Sequence, residues 1–424
     1  MVQFYVEINE NWWIMAEKEK RKYDVIIIGA GASGMMAAIT AGRRGRKVLL
    51  LEKMARPGKK LLATGNGKCN FTNANLSEGC YYGDQNLVRE VLGQFSLEQC
   101  LHFFHEIGVY PKNKNGYYYP NSGQAQSVVC LLEEELKRTG ADVKTHTELV
   151  SVRKEKHCFL CECKDGVYTG SNLVFATGLL ASPKLGSDGT AFPFIRSFGH
   201  HMEPVLPALC GFYGKGLRFQ KISGVRCDAH LSLEISGKQV NSERGELQLT
   251  DYGVSGIPVF QLSSPASRAL HEKKECRLHM DFLPDFTYEE LMQEIRCRVQ
   301  RAVYPTTSEF LLLGLLPEKL AIELLYRSGL WNVELKSPCK EKVIKSLVGQ
   351  IKHTVVSLER IREAEFAQVC TGGIKSDEIN PHTLESRLCP GLFFTGELLN
   401  VDGICGGYNL HFAWGSGYLV GNQI

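Results

Sequence analysis

The sequence predicts an α/β fold in which one parallel-sheet domain is built from two separated stretches of chain, with a β segment and a helical segment inserted between them. Three observations predict it. The apolar run Tyr23-Asp24-Val25-Ile26-Ile27-Ile28 leads straight into Gly29-Ala30-Gly31-Ala32-Ser33-Gly34 and then into a helical pattern. From about residue 204 the pattern changes to short alternating segments, and beyond residue 284 to amphipathic helical stretches. Near the end, Gly391-Leu392-Phe393-Phe394-Thr395 reads as a buried strand that stops at Gly396-Glu397, ahead of a final helix.

The first of these is the fingerprint of a Rossmann-type dinucleotide-binding unit. Gly29 permits the tight turn from strand to helix, Gly31 lets the backbone approach a pyrophosphate, and Gly34 lets the helix pack closely on the strand. Ala32 and Ser33 open that helix, whose N-terminal N–H groups face the phosphates. A second buried strand, Lys47-Val48-Leu49-Leu50-Leu51, ends in Glu52, placed to bind ribose hydroxyls. An acid here favours an unphosphorylated ribose, which puts FAD or NAD ahead of NADP. Glycines also serve ordinary turns; the order strand, triplet, helix, strand, acid is what carries the assignment.

Composition narrows the rest. The chain has 424 residues, and its 49 basic and 46 acidic residues are interspersed to a net charge of +3, so no basic face argues for nucleic acid. The longest apolar stretch near the middle, residues 310–316, is far short of the ~20 residues of a spanning helix, so no membrane role is expected. Residues 1–21 carry acids ahead of Trp12-Trp13-Ile14-Met15 and no cleavage site. They read as a frayed or docked extension, or an upstream start, rather than a signal peptide. Fifteen cysteines without a secretion signal point to reduced thiols in a cytoplasm. In Cys158-Phe159-Leu160-Cys161-Glu162-Cys163 strand alternation sends Cys158 and Cys161 to opposite faces, which argues against a metal there; no metal site is expected elsewhere.

After the second strand comes Arg56-Pro57-Gly58-Lys59-Lys60-Leu61-Leu62-Ala63-Thr64-Gly65-Asn66-Gly67-Lys68-Cys69-Asn70-Phe71-Thr72-Asn73, which interleaves backbone-exposing glycines with hydrogen-bonding side chains. It reads as a ligand-wrapping loop. Residues 65–73 resemble the GxGRCNxTN signature of the BaiN/YhiN-like flavoproteins, also called the aminoacetone oxidase family of FAD-binding enzymes, with Lys68 where Arg is usual. The resemblance implies that Gly65, Asn66, Gly67, Cys69 and Asn70, with Lys53 and Lys60, belong to the FAD-binding set. Helical periodicity returns over 87–107 and 126–138, with the tyrosine-rich stretch 110–120 between them. Strands are expected at 142–146 and 148–152, then a hairpin, then Asn172-Leu173-Val174-Phe175-Ala176-Thr177-Gly178. That segment resembles the strand-ATG motif of two-domain flavoproteins, which implies that Ala176, Thr177 and Gly178 pass near the FAD diphosphate. By the same resemblance Leu149 or Val150 contacts the adenine through its backbone. Leu179 stands where the family has a second glycine.

The segments 231–235, 246–250 and 276–280 read as strands of a small β domain over 204–283. Helical stretches follow at 288–303, 308–315, 319–326 and 341–348, a helical subdomain over 284–352. The FAD-binding domain, 22–203 and 353–424, is therefore discontinuous; the resemblance implies that the inserted part is barrel-like. Thr250-Asp251-Tyr252-Gly253-Val254-Ser255-Gly256-Ile257-Pro258 resembles the family's TxxGxSGP loop, with Ile257 inserted before the proline. A tight turn and a substrate contact explain it equally well. No second glycine triplet precedes an acid-ended strand, so no separate nicotinamide domain is expected; NADH or NADPH would act as a transient reductant in the substrate cleft.

The closing segment resembles the family's PGLxFxGExxDVDGxxGGYNxQxA signature, departing at Asn400 and His411. Gly396 and Glu397 are placed for the ribitol. Gly406, Gly407, Tyr408 and Asn409 open the last helix, whose N-terminus offers N–H groups to the isoalloxazine. Tyr408, His411 or a tyrosine of Tyr117-Tyr118-Tyr119 could donate a proton. Cys69 and Cys405 approach the same place, but without a CxxC partner they suggest no disulfide reductase. An FAD-dependent oxidoreductase acting on a small or steroid-like substrate is the reading that follows. The resemblance implies two chemistries: reduction of a conjugated enone, or oxidation of a small amine by oxygen. A flavoprotein acting on nucleic acid is the third, disfavoured by the charge balance.

Overall fold

The computed structural model describes residues 21–301, 308–331 and 341–424. The extension expected over 1–21, apart from Arg21, and the last two residues of the helix expected over 288–303 lie outside the described residues. The fold is α/β, with seven strands in the main sheet. Strand Arg21–Ile28 pairs in parallel with Val48–Leu51 on one side and with Gly166–Phe175 on the other, and Asp142–Lys144 extends the ladder beyond Val48–Leu51. Val25, Ile26, Ile27 and all of Val48–Leu51 are buried, as a parallel sheet covered on both faces requires. The long strand Gly166–Phe175 is shared along one edge. Its first half pairs antiparallel with Cys158–Cys163, and its last three residues pair in parallel with Leu392–Phe394. A strand from near the C-terminus thereby ends one strand away from the opening strand, so that Gly29, Ala176 and Gly396 meet at the carboxyl ends of the sheet, where such folds bind ligands.

The glycine triplet is enforced by close approach. Gly29 holds φ +102°, and a Cβ on it would stand 2.6 Å from the carbonyl oxygen of Ala176. A Cβ on Gly34 would stand 1.9 Å from the Gly29 oxygen. Helix Ala32–Arg43 therefore lies tight on its strand, and the C-terminal helix Tyr408–Gln423 packs across it.

Between the two parts of this domain, six antiparallel strands close a barrel in the spatial order Phe212–Lys215, Gly253–Ser255, Lys238–Leu249, Arg226–Ile235, Cys276–Asp281 and Thr354–Ile361. Leu231, Leu233, Leu247, Leu249, Leu278 and Val356 alternate along these strands and fill its interior. Helices Tyr288–Arg301, Glu318–Arg327 and Glu341–Lys352 share the same apolar cluster. A two-stranded ribbon, Met202–Ala208 with Val369–Ile374, links the barrel to the parallel-sheet domain. Arg268 of the insert reaches across the junction, donating from Nε to Thr371 Oγ1 at 2.8 Å and lying 3.2 Å from the buried carboxylate of Asp402.

Four expectations change. The strand that closes the barrel, Thr354–Ile361, lies beyond the boundary expected at His353; it pairs with Phe212–Lys215 and Cys276–Asp281, so the chain leaves the barrel only after Ile361. The helical stretch 87–107 is two helices, Gln85–Gln94 and Leu97–Glu106. Ser96 breaks it, because its hydroxyl accepts from Gln99 N while the Gln99 side chain accepts from Ser96 N at 2.7 Å, a capping box that starts a new helix. The strand expected over 142–146 stops at Lys144, since His146 adopts φ +53°. The stretch 308–315 forms only a 3-10 turn, Ser308–Leu311. Every described cysteine is a free thiol.

Candidate FAD site and substrate cavity

A cavity of about 730 Å³ runs along the carboxyl ends of the sheet and continues to the face of the insert. At one end Glu52 closes the second strand. Its Oε2 accepts from Ala30 N and its Oε1 from Met54 N, both at 2.8 Å, so the carboxylate is fixed at the wall between the glycine turn and the next loop. Lys53 and Leu149 line the same end, with Lys53 paired to Asp188 at 2.5 Å. Val150 does not reach the wall; it is the outward neighbour of Leu149 in a strand and is 54% exposed.

In the middle, Gly29, Gly31, Ala32, Ser33, Ala176, Thr177 and Gly178 line the cavity together with Gly396 and Glu397, which pack against Ser33 and Gly178. Lys60 Nζ lies 3.0 Å from Glu397 Oε2, and Glu397 Oε1 accepts from Cys370 N at 2.6 Å. Gly34 stands behind this wall, packed on Gly29. Farther along, Gly65, Asn66, Asn70, Gly406, Gly407 and Asn409 line the cavity where helix Tyr408–Gln423 begins. Gly67 is not part of the lining, and Cys69 is fully buried, its thiol pushed up to about 12 by desolvation. Asn73 Nδ2 donates to Gly406 O at 2.9 Å, tying the glycine-rich loop to the helix start.

Of the residues expected to do proton chemistry, Tyr408 and His411 are not brought to the cavity. His411 is completely buried one turn into the last helix, with Nδ1 2.8 Å from Thr72 Oγ1 and Nε2 2.9 Å from Phe95 O. The helical rotation of about 100° per residue presents Asn409, Leu410 and Ala413 to the cavity and turns His411 away. Tyr408 is also buried, and its phenol is raised by that burial and by Cys80 beside it. The residues that do line the far end include Tyr117 and Tyr119, alternate positions of strand Tyr117–Pro120, while Tyr118 between them packs on the core.

The insert contributes a set that sequence patterns left unassigned: Leu209, Ile257 and Phe260, facing Val369 and Cys405 of the parallel-sheet domain. Ile257 and Phe260 are three apart on the short helix Ile257–Gln261, which puts them on one face. Gln261 fixes the opposite wall, accepting from Cys405 N at 2.6 Å and donating to Cys405 O at 3.3 Å. The Ile257 insertion was the available signal. Gly256, at φ +104°, would meet Glu246 O at 2.4 Å if it had a Cβ, so the turn accounts for the glycine and leaves Ile257 to face the cavity.

These residues fit FAD. Thr177 Oγ1 and Asn70 Oδ1 are buried side-chain oxygens in the cavity wall with no protein partner, one beside the glycine turn and one beside the last helix. Nothing lies within 4 Å of where a Cβ of Gly31 would stand, so the wall is bare backbone at the first helix N-terminus. The model of the HI0933-like protein Rossmann domain matches residues 23–423. The chain belongs to this HI0933-like family. The family resemblance carried by the GxG-to-TN loop is thereby borne out, and the protein is an FAD-dependent oxidoreductase. Among relatives, it is 40% identical over 398 residues to the 3-dehydro-bile acid delta(4,6)-reductase of Clostridium scindens, covering 93% of this chain and 97% of that one. It is 29% identical over 408 residues to the ribosomal RNA dihydrouridine synthase of Escherichia coli, covering 95% and 98%. The fold is shared with 3-ketosteroid delta1-dehydrogenase from Sterolibacterium denitrificans, solved with 1,4-androstadiene-3,17-dione, at a TM-score of 0.50 and 12% identity over 95% of this chain and 99% of that one. Among the described residues no helix is long and apolar enough to cross a membrane.

His411 yields a testable consequence in this HI0933-like chain. Burial holds its pKa down at about 4, below the ordinary 6.5, so it is neutral in the native state. An unfolded chain takes up that proton first. The stability that the neutral ring contributes is complete above about pH 6.5 and falls away toward pH 4, by roughly 3 kcal/mol. His411→Gln, which restores the residue of the family signature, is expected to flatten the melting temperature between pH 4 and 6.5 without changing turnover. A variant that loses turnover while keeping its flavin would restore His411 to the chemistry.

Proposed function

We propose that the protein reduces the conjugated double bond of an apolar, steroid-like enone, with NADH or NADPH as the source of electrons. The observation that carries this reading is the far end of the cavity, where the apolar side chains of Leu209, Ile257, Phe260 and Val369 face the hydroxyl-bearing rings of Tyr117 and Tyr119. FAD, when bound, supplies the hydride. The chain holds the substrate's rings against the apolar wall, excludes water with the insert, and keeps a proton at a phenol for the substrate's α-carbon. Tyr119 suits that role. Burial and the neighbouring Tyr117 and Cys405 raise its pKa, so the hydroxyl stays protonated. The 40% identical relative named as a bile-acid reductase supports the same substrate class.

A second reading shares the chemistry. The relative named as a ribosomal RNA dihydrouridine synthase covers nearly the whole chain, and a dihydrouridine is a uridine whose conjugated ring bond has been reduced. The higher identity of the bile-acid reductase favours the steroid-like substrate.

Stopped-flow spectroscopy tests the proposal. Holoenzyme reduced anaerobically by NADH or NADPH is expected to be reoxidised on mixing with a steroidal enone, and Tyr119→Phe to slow that step by about 10²- to 10⁴-fold with flavin content unchanged. Rapid reoxidation by oxygen with none by the enone would overturn this reading.

A further inference from the structure

Beside the mouth of the cavity lies a separate recess of about 190 Å³, whose wall includes Lys68, Lys112, Lys114, Tyr117 and Tyr119. Lys68, Tyr117 and Tyr119 belong to both walls, so the recess adjoins the end where the substrate is placed. Strand pairing explains why these groups converge. In the hairpin of Pro111–Lys114 and Tyr117–Pro120, Lys112 lies opposite Tyr119 and Lys114 opposite Tyr117. Residues two apart share a face, so two lysines and two tyrosines line one side of the ribbon while Tyr118 packs on the core behind it. Lys114 Nζ stands 5.9 Å from the centre of the Tyr119 ring. Lys68 closes the recess from the glycine-rich loop, at the position where the resemblance expects another cation, arginine.

The charge here is unbalanced. Elsewhere in the cavity wall Lys53 is neutralised by Asp188 and Lys60 by Glu397, and Lys59 donates to Lys184 O at 3.2 Å. The lining of the recess contains no carboxylate, and among the described residues none of its three lysines has an ion-pair partner. Three like charges around one small recess repel unless an anion lies between them. The volume holds a carboxylate or a phosphate with some water, and is too small for a whole dinucleotide.

We propose that this recess binds the anionic group of a small-molecule ligand whose other end enters the cavity over Tyr117 and Tyr119. The inference rests on the enone-reductase reading for what occupies the cavity. Two sources offer that chemistry: a carboxylate on the substrate's side chain, or a phosphate of the nicotinamide reductant.

The test uses holoenzyme and the double variant Lys112→Gln/Lys114→Gln, whose changes lie in an exposed strand. KM and kcat are measured for a neutral steroidal enone and for the same rings bearing a side-chain carboxylate, and reduction rates for NADH and NADPH. Cholate binding is followed by calorimetry at low and moderate salt. The variant is expected to raise KM for the carboxylated enone about tenfold with kcat and the neutral enone unchanged, and to weaken cholate equally. If instead only reduction by NADPH suffers, the anion is the reductant's and the proposal stands with that source. If neither ligand is affected, the proposal is overturned. If the double variant weakens only the binding of a ribosomal RNA fragment, the recess is a nucleic-acid surface and the proposal is likewise overturned. Absence of turnover with either enone in the unaltered enzyme would end the reductase reading alone, and the cholate and NADPH measurements would still decide the recess.

Discussion

Replacing Glu52 with Ala is expected to yield folded protein that no longer retains FAD through purification. The carboxylate is the wall of the cavity at the end of the second strand, and it already accepts two backbone N–H groups, Ala30 and Met54, each at 2.8 Å. Those bonds leave further lone pairs for ribose hydroxyls, which is the role its position suggests. Removing the carboxylate deletes the acceptors for the ligand and also frees the Ala30 N–H at the turn that shapes the pyrophosphate site. Hydrogen bonds to a charged group are worth about 1.5–3 kcal/mol each, so loss of one or two to the ribose weakens FAD by roughly 10- to 10⁴-fold. Flavin absorbance per polypeptide, and an FAD titration of the apoprotein, measure it. Full flavin occupancy in the variant, with an unchanged dissociation constant, would remove Glu52 from the cofactor site.

The parts legible in the sequence were those fixed by local geometry. Val25 to Ile27 and Val48 to Leu51 read as buried parallel strands because a sheet covered on both faces needs unbroken apolar runs, and the glycine triplet is legible because no other residue survives 1.9 Å from a carbonyl oxygen. What stayed hidden were partners distant in sequence. The alternation of Thr354–Ile361 marks a strand, but nothing in it says that it closes a barrel with Phe212–Lys215, some 140 residues earlier. His411 shows the same limit on a smaller scale. Proximity along the chain to Gly406 and Gly407 suggested the cavity, yet one turn of helix decides which side faces it, and the neighbouring Leu410 took that place. Tyr117 and Tyr119 were legible only as two of three consecutive tyrosines, until the pairing of their strand chose the odd-numbered pair.

Gly417→Ala is expected to destabilise the whole parallel-sheet domain and release FAD with it. Gly417 sits on the last helix where that helix crosses Ala32–Arg43, and a Cβ there would stand 2.3 Å from Ser33 O, 3.0 Å from Met36 Cβ and 3.1 Å from Ala37 N. Two of these three atoms belong to backbone, so no rotamer change relieves the clash and the helices must separate. Overpacking of this kind costs about 1–3 kcal/mol or more. The consequence reaches the site because Ser33 stands in the cavity wall and the same last helix carries Gly407 and Asn409 at its start; parting the two helices shifts both N-termini that face the cavity. A matched control is Gly349→Ala in helix Glu341–Lys352, where nothing lies within 4 Å of the added carbon and helix propensity predicts a gain of about 1 kcal/mol. Thermal melts and flavin content of the two variants are the measurement. A Gly417→Ala protein that melts with the unaltered enzyme and keeps its flavin would show that the helix pair yields without cost, and that the cavity does not depend on their close approach.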